Sequence, residues 1–235
     1  ISCKKALKNI KNFKINLVIT DDNSSEENLS LIKKLINSSS LNYKIISLQK
    51  DKLNEMIKKK DEYGKDISEG MISNMRNILK SVLLTKDEVN DLVYFVEDDY
   101  IHDENAISEM LFAFERLTSQ LGKDVFLCPA DYPYLYNKIE DTKIFLGNKR
   151  HWRTVKETLI TFMTSKEMIM KYWEDFIAMS TTRHHPMEKK LHEIYEKEYC
   201  LSPIPSLAMH ATNINSSYGI PPNIDWVKLW NENEN

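Results

Sequence analysis

Glycine is scarce, with five in 235 residues, and that leaves no room for a glycine-rich loop that cradles phosphates. Cysteine is scarcer: Cys3, Cys128 and Cys200 are too few and too scattered for a disulfide framework or a cysteine-rich zinc site. No apolar run approaches the roughly 20 residues of a membrane span. Neither sign of charge dominates, since 32 Lys and Arg stand against 35 Asp and Glu, a formal net charge of −3. That balance gives no general pull toward nucleic acid or anionic lipid. Disordered tails, collagens, secreted knots and channels are thereby excluded. With 42% hydrophobic and 29% charged residues, what remains is a reduced, soluble α/β or α+β chain long enough to bury its own core. The expected location is cytoplasmic, with a peripheral position at a membrane face left open. The chain opens on Ile1 with no secretory pattern after it, so a missing N-terminal segment is expected.

The segment Lys14–Thr20 is short, apolar and β-branched, and it closes on Asp21 and Asp22, the marks of a buried strand. Ser24 and Glu27 have the spacing of a capping box for the helix that follows, and Tyr43–Leu48 is a second strand. Strand, helix and strand in this order favour a parallel pair with a right-handed crossover. Residues 49–70 are polar, with a short helix and a loop, and Lys58–Lys60 reads as a solvated face because Asp61 and Glu62 follow at once. Met71, Met75, Ile78, Leu79, Val82 and Leu83 recur at helical spacing, a core stripe rather than a cofactor box. Asp91–Val96 is the most strand-like stretch. Asp103 is placed to cap the next helix and Gly122 to close it. Further strands are expected at Val125–Cys128, Lys143–Leu146 and Thr158–Met163, with helices from Lys166 to about Met179 and from Met187 to Lys197.

Two acidic clusters follow strands. Glu97-Asp98-Asp99 sits where ligands collect in open α/β sheets. Three adjacent carboxylates repel one another unless a cation or ribose hydroxyls take them up; the alternative is a polar turn whose acids cap the next helix. Asp21-Asp22-Asn23-Ser24 either accepts hydrogen bonds from a base or ribose or forms an Asx turn into its helix. The aromatic group Tyr132, Tyr134, Tyr136 and Trp152 reads equally as a sugar-stacking platform and as core or rim packing. His184, His185, Glu188 and His192 suggest zinc, but the H-E-x-x-H spacing is absent. Trp226 and Trp230, four apart in a polar tail, suit docking onto the body of the protein.

Together, KINLVITDDNSSEENL, GMISNMRN (70–77) and VYFVEDDY resemble, in order and spacing, the donor-site motifs of GT-A-type, family-2-like glycosyltransferases, the last being a Glu-Asp-Asp version of Asp-x-Asp. The resemblance covers roughly residues 1–130. It implies an α/β GT-A fold, with a Rossmann-like mixed, mostly parallel central sheet flanked by helices. It implies one domain over 1–235, with a nucleotide-sugar half at 1–130, an acceptor half at 131–218 and a tail at 219–235. The family's first strand is not visible ahead of Ile1, being either outside this sequence or dispensed with, and the family's usual turn glycine is Asn23. The activity implied is inverting transfer of a sugar from a UDP- or GDP-linked donor to a glycan or other hydroxyl acceptor, with Mn²⁺ or Mg²⁺. Asp21 or Asp22 would contact the nucleoside, Arg76 the base or diphosphate, and Glu97 and Asp98 the ribose and base side. Asp99 would ligate the metal, with His210 as a further ligand. Glu188 would be the base that takes the acceptor's proton, with Asp175 the runner-up. Tyr132, Tyr134 and Trp152 would bind the acceptor. A silent glycan- or partner-binding module and a sugar nucleotidyltransferase remain the alternatives. The scarcity of glycine counts against the second.

Overall fold

A computed structural model describes every residue except 8, 9, 11, 12, 39, 40, 212–219, 222 and 235. In chain order the elements are α1 (Ser2–Leu7), β1 (Asn16–Asp21), α2 (Glu26–Asn37), β2 (Asn42–Ser47), α3 (Lys50–Asn54), α4 (Glu69–Glu88), β3 (Leu92–Phe95), β4 (Tyr100–His102) and α5 (Ala106–Leu121). Then come β5 (Phe126–Leu127), a 3-10 helix (Pro133–Asn137), β6 (Ile144–Leu146), β7 (His151–Val155), β8 (Phe162–Ser165), α6 (Lys166–Lys171), α7 (Trp173–Thr181), α8 (Lys189–Tyr195), β9 (Cys200–Ile204), β10 (Ala208–His210) and α9 (Trp226–Asn233). The chain is mixed α/β. Its contacts group it into two compact units, a crossover unit of Lys11–Asn90 with Ile169–Leu191, and a sheet unit of Ile1–Ile10, Asp91–Met168 and His192–Asn235.

In the crossover unit, β1 and β2 pair in parallel, from Asn16 opposite Asn42 to Asp21 opposite Ser47, as the strand–helix–strand order predicts. The helix between them starts one residue later than the capping-box spacing suggests. Asp21 Oδ1 accepts the Ser24 N–H at 3.2 Å, which commits Ser24 to the turn. Ser25 is the cap instead, its Oγ accepting from the Asn28 N–H. Asn23 sits at φ 72°, a left-handed conformation that asparagine tolerates better than most residues. Ser68 caps α4 by accepting the Met71 N–H. The helix buries Met75, Ile78, Leu79 and Val82, so the stripe is core, and it packs against β1, α3 and α7. The single helix expected after Lys166 is two, α6 and α7, separated at Tyr172 (φ −111°, ψ 29°).

The sheet unit is built on six strands in the order β3-β8-β5-β9-β7-β6. Only β5–β9 is parallel; β3–β8, β5–β8, β7–β9 and β6–β7 are antiparallel. The expectation of a mostly parallel sheet is therefore corrected. Its warrant was the crossover of β1 and β2, and those strands form a two-stranded sheet of their own. The second half of the chain folds back on itself by hairpins, which yields antiparallel pairs. Strands β4, β7 and β9 were not expected from the sequence. Pro203 is tolerated inside β9 because β5 opposes only Cys200 and Leu201, so the side its ring occupies needs no ladder donor from it.

Val125, Phe126, Leu127, Phe162, Met163 and Leu201 form the centre of this core. Helix α5 turns Ala106, Met110, Ala113, Phe114 and Leu117 inward and ends on Gly122 at φ 67°. Asn105, not Asp103, precedes its first turn, while the Asp103 carboxylate accepts the Asn105 N–H at 2.8 Å, one step outside the helix. A short antiparallel pair, β4 with β10, completes the unit, and α1 and α9 both lie against β4. The expected docking of this tail is met only in part: α9 touches β4 and Trp226 is half-buried, but Trp230 stays 44% exposed. On β4, His102 is buried and its Nε2 lies 2.6 Å from the Tyr94 hydroxyl. No helix among the described residues is long and apolar enough to cross a membrane.

Candidate functional site

In the sheet unit the acidic turn follows directly from β3. Glu97 is tied to buried Thr161: its N–H donates to Oγ1 at 3.1 Å, and the hydroxyl lies 3.3 Å from Glu97 Oε2. Asp98 occupies the exposed turn. Asp99 closes the turn, and its carbonyl accepts the Ala211 N–H at 2.7 Å, just beyond the end of β10. That bond and the register of β4 with β10, Tyr100 opposite His210, bring two residues far apart in sequence side by side. His210 Nε2 lies 2.8 Å from Asp99 Oδ2. The imidazole is almost enclosed, whereas about a quarter of the Asp99 side chain reaches solvent. Tyr100 backs the imidazole, with ring centroids 4.9 Å apart, and its hydroxyl bonds that of Tyr132. Burial holds the phenols of Tyr100 and Tyr132 far above their ordinary range, so both stay neutral donors and acceptors.

The chemistry available here is one carboxylate and one imidazole, aligned at a partly open turn. Among the described residues no group of three or more His, Cys, Asp and Glu is placed to hold a metal. A carboxylate oxygen and an imidazole nitrogen are ligand types that suit Mn²⁺.

In the crossover unit the donor-site candidates are absorbed locally. Asp21 is buried in its turn. Asp22 Oδ2 accepts from Arg76 Nε and Nη2 (2.9 and 2.6 Å) and from Ser73 Oγ (2.6 Å), with Lys50 Nζ 3.6 Å from Oδ1. Burial raises the Asp22 carboxyl, but the hydrogen bonds of Ser73 and Arg76 and the charges of Arg76 and Lys50 outweigh it and hold the group below its usual value. Arg76 is 1% exposed, and its guanidinium also bonds Asn54 (2.9 Å) and Glu69 (2.7 Å). It is spent inside the protein, so it positions Asp22 and offers no fork to a base or diphosphate.

Tyr132 and Trp152 take the core-packing alternative weighed for them. Both are core residues with no ring face open to an acceptor. Trp152, at 0% exposure, packs on Gly147, where an added Cβ would stand 2.3 Å from its Cδ1 and Nε1. Tyr134 alone of the three keeps partial exposure. Glu188 is half-buried in the turn before α8, and Asp175 is half-buried on α7. Lys189, the neighbour most able to pair with Glu188, bonds Glu62 at 2.9 Å.

Lys58–Lys60 are exposed, the solvated face expected of them, and the two acids that follow are paired. Glu62 also accepts the His185 N–H (2.8 Å) and faces His184 Nδ1 (3.2 Å), while Asp61 faces His185 Nε2 (2.9 Å). The Lys189 bond, then those of His185 and His184, hold the Glu62 carboxyl down to about 2. Two histidines of the zinc reading, His184 and His185, are thus paired with acids, while His192 Nε2 lies 3.0 Å from the Thr158 carbonyl.

Two buried clusters escaped sequence reasoning. Asp131 Oδ1 accepts from Arg153 Nε and Nη2 at 3.0 and 2.8 Å, and Tyr136 bonds the other oxygen. Buried Glu109 accepts the N–H groups of Asn148, Lys149 and Arg150. Nothing local announced Asp131, four residues beyond β5, or Arg153 and Glu109. The sequence matches no protein-family model and no curated protein.

Proposed function

We propose that the chain is a metal-dependent glycosyltransferase of GT-A type, whose Asp99 and His210 help hold the cation that carries a nucleotide-sugar diphosphate. The observation that supports this is the meeting of Asp99 and His210 at 2.8 Å, beside the acidic turn and across a two-stranded sheet. Bound there, the cation would offset charge that develops on the departing nucleotide. Glu97, fixed by Thr161, and exposed Asp98 flank the same turn and are the groups left to meet sugar or ribose hydroxyls.

Calorimetric titration of UDP and of GDP, with and without Mn²⁺, tests the reading. One nucleotide should bind only with the metal, and Asp99→Asn or His210→Gln should weaken that binding about tenfold or more, the loss of a charged or coordinating contact. Metal-independent binding, or binding indifferent to both substitutions, would overturn it. A second reading, a binding module on a related fold that performs no transfer, draws on the enclosure of Arg76, Tyr132 and Trp152. Glycan binding in the absence of nucleotide and metal would favour it.

A further inference from the structure

We infer that Arg150 is a positioning residue: it sets the register of β4 with β10 and so brings His210 to Asp99. The inference deepens the reading of that pair given above and rests on it. The two strands meet at Ala208–His102, Met209–Ile101 and His210–Tyr100, a ladder too short to hold its register by itself. Side chains alternate between the two faces along a strand. A slip of β10 by one residue would therefore turn the His210 imidazole to the face away from Asp99. A contact outside the ladder has to fix where β10 begins.

Arg150 stands at that end. Its Nη1 donates to the carbonyls of Pro205 and Ser206, at 2.7 and 3.0 Å, just ahead of β10. Its Nη2 lies 3.9 Å from Asp103 Oδ2, one residue past β4, and the Asp103 N–H donates to the Leu207 carbonyl at 2.9 Å. One guanidinium thus grips the lead-in to β10 and faces the carboxylate that ends β4. Asp99 and His210 meet at the other end of the same ladder. The grip has a fixed base. The Gly147 N–H donates to the Arg150 carbonyl, and buried Glu109 accepts the N–H groups of Asn148, Lys149 and Arg150. That gives Glu109 a task, to hold the turn from which the guanidinium reaches. Other bonds tie the same segment toward β5: the Leu207 and Ala208 N–H groups donate to the Pro129 carbonyl, and the Asp131 N–H donates to Ser206 Oγ. Loss of the guanidinium should therefore leave the fold standing and free β10 to shift against β4.

The bond from the Ala211 N–H to the Asp99 carbonyl, just past the ladder, is the gauge. Amide hydrogen exchange of the full, metal-free chain reads it without any ligand. Arg150→Met keeps the stem and removes the donors. It should lower protection at Ala211 about tenfold or more and leave Cys128, whose N–H donates to the Leu201 carbonyl, unchanged. Mn²⁺-dependent nucleotide binding should weaken by a similar factor. Arg150→Lys, whose ammonium can serve both carbonyls, should restore most of both losses. Unchanged protection at Ala211 in Arg150→Met would overturn the inference, whatever the nucleotide does. Equal losses at Ala211 and Cys128 would overturn it too, because Arg150 would then support the whole unit. A selective loss at Ala211, in a protein whose wild type binds no nucleotide with the metal, would uphold the hold on the register and sink the glycosyltransferase reading instead.

Discussion

Each unit buries one arginine–aspartate pair at the end of a strand, and the two pairs are built differently. In the crossover unit, Asp22 follows β1 and its arginine comes from α4, with Ser73 on the same helix and Lys50 close by. In the sheet unit, Asp131 lies beyond β5 and Arg153 comes from β7, with Tyr136 laid over the guanidinium at 4.5 Å. The first pair has spare partners of its own. The second is more isolated, so its aspartate depends on one cation. A buried pair contributes little net stability while intact, yet losing one member leaves a charge with nowhere to go.

The largest effect should therefore come from Arg153→Ala, which strands the Asp131 charge and should cost about 3–5 kcal/mol in urea unfolding. Arg76→Ala should cost less, because Ser73 and Lys50 remain beside Asp22. Equal losses would break the comparison.

Acid should separate the units next. Burial pushes His102, in the sheet unit, from 6.5 down to about 4. Its unfolded form binds a proton that its folded form refuses, so stability is full above about pH 6.5 and is lost as pH falls toward 4, a change of about 3 kcal/mol. In the crossover unit, Glu62 is held at about 2 against an ordinary 4.5, so its contribution persists above 4.5 and is lost only as pH falls from there toward 2. Hydrogen exchange, corrected for its intrinsic pH dependence, should show β8 losing protection in the upper window while α4 keeps it. His102→Gln should abolish the upper transition; simultaneous loss in both elements would mean that the units yield as one. The smallest effect is expected from Gly147→Ala, which drives a methyl into the Trp152 ring and should cost about 1–3 kcal/mol by thermal or urea unfolding. A neutral result would show that the β6–β7 hairpin can move away from its tryptophan.

The same contrast explains what could be read from the sequence. β1, α2, β2 and α4 lie close along the chain, and their caps, strand ends and helical stripes are local signals. The six-stranded sheet is assembled from distant pairs, and β5 is a mere two residues whose neighbours are β8 and β9. Nothing near Phe126 names those partners. At the candidate site, the cluster holding Asp99 was legible as acids after an apolar strand, His210 only through a resemblance, and the register of β4 with β10 supplied their contact. Arg76 and Trp152 misled because residue type alone does not say which way a side chain faces. Arg76 is drawn in by Asp22, and Trp152 by the bare backbone of Gly147.

The distance between β5 and β9 also has a meaning in time. A chain made from its N-terminus completes β1, β2 and α4 before β5 appears. Phe126 and Leu127 then wait for residues 200 and 201 to pair with them. At ordinary translation rates that delay is on the order of 4–15 s. During it β8 can pair with Leu127, but the side of β5 that β9 will take stays open. Slowing synthesis ahead of Cys200 should lengthen that exposure, and a chaperone that grips apolar segments would find β5 its natural hold.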